Sequence, residues 1–312
     1  MKLFLNIFIT FFLAANFTSH ALADNPTPLP FDGNENIFNT VILQFDNNND
    51  LYDVTRNYGP TLRYQIPDDL TITYSYDRQS YRIRLAPIVD RAARYWDQLL
   101  GPYGFHIYRA DTGTPSNFII STMSIDQAAT LGRGLVPQAF TPPPNSQGLT
   151  HARERLPYLI TGPGMYITES RSIDASQHEF IRRIFGPGDL DRHFESLIYL
   201  FILHEFGHAV GLTHPETVTE RINDLYETLE MGFLEPDDYA DPASPLRQVG
   251  VIRGRYDSDA QIMFQSEEGY LEALHLQHGG RNITTDDFVL SRNEREIITN
   301  YIGGCSSARL RR

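Results

Sequence analysis

The chain has 312 residues and a formal net charge of −13, from 39 acidic residues against 26 lysines and arginines. So large an acidic excess makes nucleic acids and anionic membrane surfaces poor partners. The one cysteine, Cys305, excludes an internal disulfide framework. Folding must therefore rely on an apolar core and on any bound metal, and this length suits one large domain or two small ones.

Residues 1–23 have the pattern of a secretory signal peptide. Lys2 supplies the basic start, residues 3–15 form the apolar segment, and small residues suited to cleavage end at Ala23. The apolar segment is interrupted by asparagine and is short for a membrane span. We therefore expect a secreted protein that is cleaved near Ala23 and does not insert stably into membranes.

Lysine is absent after the predicted signal peptide. Without Lys2 the chain keeps 25 basic residues, all arginine, against 39 acidic ones, which gives a charge of −14. Nucleotide bias is one explanation, although the abundant asparagine and isoleucine argue against an extreme GC-rich source. Selection against lysine is the alternative, and the sequence leaves both open.

Three β-like runs follow the signal peptide, recognised by alternating or β-branched residues between turn-rich separators: residues 41–45, 61–66 and 70–76. The first lies in a leader that we place at residues 24–60, rich in proline and asparagine at its start. Apolar residues at helical spacing then predict a helix that follows Pro87 and contains the single tryptophan, Trp96. The Gly-Pro pair at residues 101–102 predicts where that helix ends.

Further strands are predicted on both sides of a loop rich in proline and glycine. Residues 105–108 and 118–122 precede the loop, and a β-like pair at residues 156–161 and 164–169 follows it. Glycine and proline are tolerated mainly at the edge of a sheet. Since both interrupt this pair, we expect it to lie at an edge.

A helix is predicted over residues 194–212, and it is apolar almost all round. Such a helix is buried in a large core and gives its side chains a rigid footing. It carries the string His-Glu-Phe-Gly-His-Ala-Val-Gly-Leu-Thr-His at residues 204–214. Because His204 and His208 are four residues apart, they lie on one helical face and can present two nitrogens to one metal ion.

The rest of the string completes a metal site with an open position. Gly211 allows a sharp turn that other residues resist, and His214 then arrives as a third ligand. Three protein ligands with the fourth position left to water are typical of catalytic zinc. Glu205 stands beside the ligands, where it can take a proton from that water.

The spacing H-E-x-x-H-x-x-G-x-x-H resembles the signature of metzincin metallopeptidases. A chance match among core histidines is the other interpretation, and Gly211 with His214 argues against it. The resemblance implies an α+β, matrixin-like catalytic domain over residues 61–304. It also implies a twisted mixed sheet of about five strands, long helices, a zinc cleft, and a smaller, largely irregular C-terminal subdomain that ends in a helix.

Residues 256–264 resemble the Met-turn that lies beneath the zinc in metzincins. Met263 is the predicted methionine, Met231 is the alternative, and an ordinary core methionine is the third interpretation. Some metzincins have a tyrosine ligand two positions after this methionine, and Gln265 stands there instead. Ser291 is predicted to begin the last helix, with Glu294 completing a capping box.

The resemblance implies a zinc endopeptidase that acts on protein or peptide substrates. One zinc ion, held by His204, His208 and His214, would activate a water and polarise the scissile carbonyl group. Glu205 would be the general base that receives the proton of this water. Other clusters carry weaker signals: the acidic loop at residues 235–241 favours a solvated surface over a calcium site, and His275 with His278 lacks a third ligand.

The tail at residues 305–312 reads Cys-Ser-Ser-Ala-Arg-Leu-Arg-Arg. An unpaired cysteine in an exported protein invites an intermolecular disulfide. Followed by Arg-x-Arg-Arg, Cys305 resembles the nicked loop of the A subunits of AB-type toxins, some of which are metzincins. That resemblance implies a receptor-binding pentamer or a tail peptide as a partner through Cys305, and the shortage of lysine fits it.

Two further interpretations stay open. The chain could be a free-standing secreted protease whose basic tail has no partner. From a different class, it could be a catalytically silent binding or adhesion module on a metzincin fold. Because silent relatives usually lose the general base, the presence of Glu205 argues against this last interpretation.

Overall fold

The computed structural model describes residues 42–43, 58–131, 138–142, 156, 159, 162–214, 260–263, 267–292, 294–296, 298–299 and 302. These residues form an α+β fold with two mixed sheets, a short strand pair and several helices. The predicted mixed sheet of five strands is confirmed. The predicted signal peptide at residues 1–23 and the tail at residues 305–312 lie outside the described residues and stay predictions.

The strands are β1 Ile42–Leu43, β2 Thr61–Gln65, β3 Thr71–Tyr76, β4 Gln79–Arg84, β5 His106–Arg109, β6 Phe118–Met123, β7 Ala139–Phe140, β8 Gly164–Thr168, β9 Ser170–Ser172 and β10 Leu212–Thr213. The helices are α1 Leu85–Leu100, α2 Ile125–Leu131, α3 Ala175–Phe185, α4 Leu190–Ala209 and α5 Glu267–Gln277. In the described part of the chain, no helix is long and apolar enough to cross a membrane.

The larger sheet has the strand order β5-β2-β6-β8-β7. All of its neighbouring strands are parallel except β7, which runs antiparallel to β8. The prediction that residues 164–169 form an edge strand is therefore wrong, because β8 lies inside the sheet and β7 is the edge. Leu156 and Leu159, the described residues of the other predicted run, are not in a strand. The sequence did not predict β7, because a strand of two residues is too short to show the alternation by which strands are recognised.

The smaller sheet has the order β4-β3-β9 and contains two strands that the sequence did not predict, β4 and β9. Strand β4 buries only Ile83, so it lacks the alternation of a half-buried strand. It pairs with β3 across a turn at Asp77 and Arg78, both with positive φ (47° and 62°). Two such residues in a row are the mark of a tight hairpin turn that matches strand twist.

Helices α1 and α4 pack against each other, and α4 packs on the larger sheet. The indole Nε1 of Trp96 in α1 donates to the carbonyl oxygen of Leu203 in α4 at 3.1 Å. From the sheet side, the ring of Tyr64 meets that of Phe206 edge-on, with centroids 6.0 Å apart. Helix α4 is buried along nearly its whole length, as its apolar circumference predicts.

The capping box predicted for the last helix is confirmed. The N–H of Ser291 donates to Glu294 Oε2 at 2.8 Å, and the N–H of Glu294 donates to Ser291 Oγ at 3.1 Å. All described residues from 294 to 302 are helical. Unlike a surface cap, Glu294 is fully buried.

Candidate metal centre

Three histidines converge at the end of α4. The Nε2 atom of His204 lies 3.1 Å from that of His208 and 2.9 Å from that of His214, and the remaining Nε2 pair is 3.0 Å apart. In the described part of the chain, these three residues are the group of side chains close enough to hold one metal ion together. The structure thus brings together all three ligands that the sequence predicts.

Backbone carbonyls orient two of the three rings. His204 Nδ1 lies 2.8 Å from the carbonyl oxygen of Ile262, and His208 Nδ1 lies 2.8 Å from that of Leu212. A carbonyl oxygen only accepts, so each Nδ1 carries the proton and each Nε2 keeps its lone pair for a ligand. This arrangement is typical of metal-bound histidine.

The donor set suits zinc. Zn–N bonds of about 2.0–2.1 Å in a tetrahedral site separate the ligand nitrogens by roughly 3.3 Å, close to the spacing of the three Nε2 atoms. Burial lowers the pKa of His204 to about 3, of His208 to about 4 and of His214 to about 2. Neutral imidazoles whose lone pairs face each other repel, and a shared cation removes that repulsion.

A glycine turn brings the third histidine back to the helix. Helix α4 ends at Ala209, and Gly211 has a φ of 106°, a conformation that side chains with a Cβ rarely adopt. Strand β10 follows at once and pairs antiparallel with β1, Ile42 opposite Thr213. This short pair supports the backbone on the N-terminal side of His214.

Glu205 is buried beside the ligands, with 6 % of its surface exposed. Its Oε2 atom has no hydrogen-bond partner among the described residues. Burial raises the pKa of Glu205 to about 7, and the nearby Thr141, which follows β7, opposes that shift. A carboxylate with an uncommitted oxygen and a pKa near neutrality is suited to accept and release a proton.

Met263 lies beneath the histidine-bearing helix. It is fully buried, and a Cβ added to Gly207 would overlap its Sδ atom. Glycine at position 207 therefore permits the close approach of the methionine to the backbone of α4. The role of Met263 as a Met-turn stays a prediction, and Met231, Gln265 and Cys305 lie outside the described residues.

The remaining described histidines serve other contacts. His193 stacks on Phe185 with ring centroids 5.5 Å apart, near the start of α4. His275 and His278 both contact Arg281, through its carbonyl oxygen and its guanidinium group. Among the residues that the structure describes, no third side chain joins either of these histidines in a group that could hold a metal ion.

Sequence analysis missed the connection between Glu294 and the three histidines, which runs through the backbone of Ile262 and Met263. Glu294 accepts hydrogen bonds from the N–H groups of Ile262, at 3.2 Å, and Met263, at 2.9 Å. The capping pattern at Ser291 singled out Glu294 for a local role only. Its second role depends on how the last helix packs, which no local pattern encodes.

No protein-family model and no curated protein matches the chain. It is similar to a chain of a solved structure, the GM1 bound form of the ECX AB5 holotoxin, with a TM-score of 0.55 and 21% sequence identity. The match covers 84% of this chain and 88% of that one. At this identity the similarity shows a shared fold.

Proposed function

We propose that the protein is a zinc-dependent endopeptidase with a metzincin type of active site. The convergence of His204, His208 and His214, with Nε2 atoms 2.9–3.1 Å apart, is the observation that carries this proposal. Glu205 adds a buried carboxylate next to the first ligand. A structural zinc site would have four protein ligands and would need no such base.

The chain's own residues supply most of the proposed mechanism. When bound, zinc acts as a Lewis acid that lowers the pKa of a water towards about 7 and polarises a carbonyl oxygen. Glu205 takes the proton of this water on Oε2, the atom without a partner among the described residues, and passes it to the leaving amine. A cation held by the three histidines would lower the raised pKa of Glu205, so that this base would start ionised.

Strand β7 is suited to hold the substrate. It is the edge of the larger sheet, and Thr141 directly after it lies near Glu205. An extended peptide that adds to an exposed sheet edge is held by backbone hydrogen bonds, which leaves its side chains to determine selectivity. We infer that the substrate backbone lies along β7 with its scissile bond at the three histidines.

We further propose that the protein is the enzymatic part of an AB-type toxin. Three observations support this role: the fold shared with a chain of an AB5 holotoxin, the unpaired Cys305 beside an arginine-rich sequence, and the absence of lysine after Lys2. Non-reducing electrophoresis and native mass spectrometry of the secreted protein test it. A second peptide bound through Cys305, or a copurifying pentamer, is expected; a monomer with a free thiol would identify a free-standing protease instead.

Replacing Glu205 by glutamine is the direct test of the peptidase. We expect Glu205→Gln to keep one zinc ion per chain and to lose at least about 100-fold in cleavage of a peptide library, since general base catalysis contributes on the order of 100- to 10,000-fold. Zinc content is measured by atomic emission and cleavage by mass spectrometry. A variant that cleaves at the wild-type rate would refute the mechanism. A wild-type protein that binds zinc but cleaves nothing would favour the silent binding module.

A further inference from the structure

One peptide group, between Ile262 and Met263, links a buried carboxylate to the first histidine of the metal centre. At its carbonyl end, the oxygen of Ile262 accepts from His204 Nδ1 at 2.8 Å. At its amide end, the N–H of Met263 donates to Glu294 Oε1 at 2.9 Å. Glu294, the peptide group and His204 thus form one continuous row of hydrogen bonds.

Glu294 is buried and makes a hydrogen bond that capping the last helix does not need. Its side chain is fully buried, and burying a carboxylate is costly unless hydrogen bonds compensate. The cap uses Oε2, which accepts from the N–H of Ser291 at 2.8 Å and also from that of Ile262. Oε1 is left for Met263, the bond that reaches the metal centre and that no helix cap requires.

Hydrogen bonds in a row strengthen one another, by about 10–30% per bond. Burial raises the pKa of Glu294 to about 7, so above that pH the side chain carries a negative charge at the N–H end of the peptide group. This charge shifts electron density towards the carbonyl oxygen of the group. The carbonyl oxygen of Ile262 then accepts a stronger hydrogen bond from Nδ1 of His204, which makes Nε2 a better electron-pair donor to a metal. It also fixes the orientation of the ring.

We propose that Glu294 is a positioning residue that acts through the Ile262–Met263 peptide group to orient His204 and to strengthen it as a zinc ligand. This inference rests on the proposed function, because it takes zinc as the ligand of the three histidines. It assigns to the last helix a part in metal affinity. His208 offers an internal comparison. Its Nδ1 donates to the carbonyl oxygen of Leu212, which belongs to a different peptide group from the one that contacts Glu294.

The test compares Glu294→Gln with wild type in zinc affinity, measured by competition with a chromophoric chelator. Glutamine keeps the size of the side chain but removes the charge, so we expect affinity to fall about tenfold, the lower end of what outer ligand partners contribute. In NMR spectra of the metal-free protein, the Nδ1 proton of His204 should move upfield, while that of His208 should not. If Glu294 had only a structural role, the Nδ1 proton shifts of His204 and His208 would not differ in their response to the substitution.

Ser291→Ala is the matched control. It removes the hydroxyl that accepts from the N–H of Glu294, at the same helix end, but leaves the bond to Met263. We expect it to lower stability without changing zinc affinity. Equal losses of affinity in both variants, or unchanged affinity in Glu294→Gln, would overturn the role of Glu294 and leave the peptidase proposal standing. A wild-type protein that binds no zinc would overturn both.

A measurement on the wild-type protein covers the case in which Glu294→Gln does not fold. Zinc binding should polarise the row from the opposite end and move the amide proton of Met263 downfield. The amide of Ile283, which bonds the carbonyl of Ile184 at 2.9 Å, is the reference and should stay in place. An unmoved Met263 amide in the zinc-loaded protein would contradict the proposal.

Discussion

His204 and Glu205 are neighbours in the chain, and burial acts on them in opposite directions. It lowers the pKa of His204 to about 3 and raises that of Glu205 to about 7. Both shifts favour the neutral form, because a low-dielectric interior penalises charge. The three histidines are therefore neutral at neutral pH, and a cation bound there would meet lone pairs rather than competing protons.

Close packing against Met263 explains why glycine stands at position 207. In an exposed helix, alanine would be favoured over glycine by about 1 kcal/mol. Here the added methyl group would overlap Met263 Sδ, and overpacking a core costs about 1–3 kcal/mol. We expect Gly207→Ala to lower the free energy of unfolding of the metal-free protein, as measured in urea.

Removing the sulfur should reverse that loss. In the double variant Gly207→Ala/Met263→Ala, alanine at position 207 should cost less than it does in wild type, which gives a measurable coupling energy in a double-mutant cycle. If Gly207→Ala alone stabilised the protein by the full helix preference, the contact between α4 and Met263 would be disproved.

Among the elements, the turn after α4 determines where His214 lies. Alanine at Gly211 would be strained by about 1–3 kcal/mol, because φ there is 106°. Part of this strain can be released if His214 moves away from the other ligands. We expect Gly211→Ala to weaken zinc binding by about tenfold, which corresponds to about 1.4 kcal/mol, in a chelator competition.

Gly113 is the matched control for this prediction. It also has a positive φ, 88°, with nothing within 4 Å of an added Cβ, and it lies in a turn outside the metal centre. Gly113→Ala should lower the free energy of unfolding but leave zinc affinity unchanged. Equal zinc affinities in the two variants would mean that the turn does not place His214.

At the scale of the whole molecule, the buried histidines make stability depend on pH. The pKa of His208 is lowered by burial from 6.5 to about 4, so below pH 6.5 the unfolded chain binds a proton that the folded protein does not. The stability that the neutral imidazole of His208 contributes is therefore fully present above pH 6.5 and is lost as the pH falls towards 4. From pH 6.5 to 5.5 this one group costs about 1 kcal/mol.

Comparison with His208→Gln isolates that contribution. Both proteins are freed of metal and unfolded in urea at pH 6.5 and 5.5, so that the titration of other groups, Glu205 among them, cancels in the difference. Wild type should lose about 1 kcal/mol more than the variant over this interval. Equal losses would show that His208 is protonated in the folded state and is not buried as the structure describes.

Local sequence predicts the cluster of three histidines, because helical spacing and one glycine are local properties: His204, His208 and His214 follow from positions in a single string. It also predicted most strands of the larger sheet and the Ser291–Glu294 cap, which depend on alternation and on neighbours three residues apart.

Tertiary packing determines which strand forms the edge of the larger sheet and which residues lie beneath the three histidines. Strand β7 has two residues, too few for a period, and β4 buries only Ile83, so neither shows alternation. The contact of Met263 with Gly207 and the bond from Met263 to Glu294 join residues 31 or more positions apart. Such contacts arise from packing between elements, and no local sequence pattern encodes that packing.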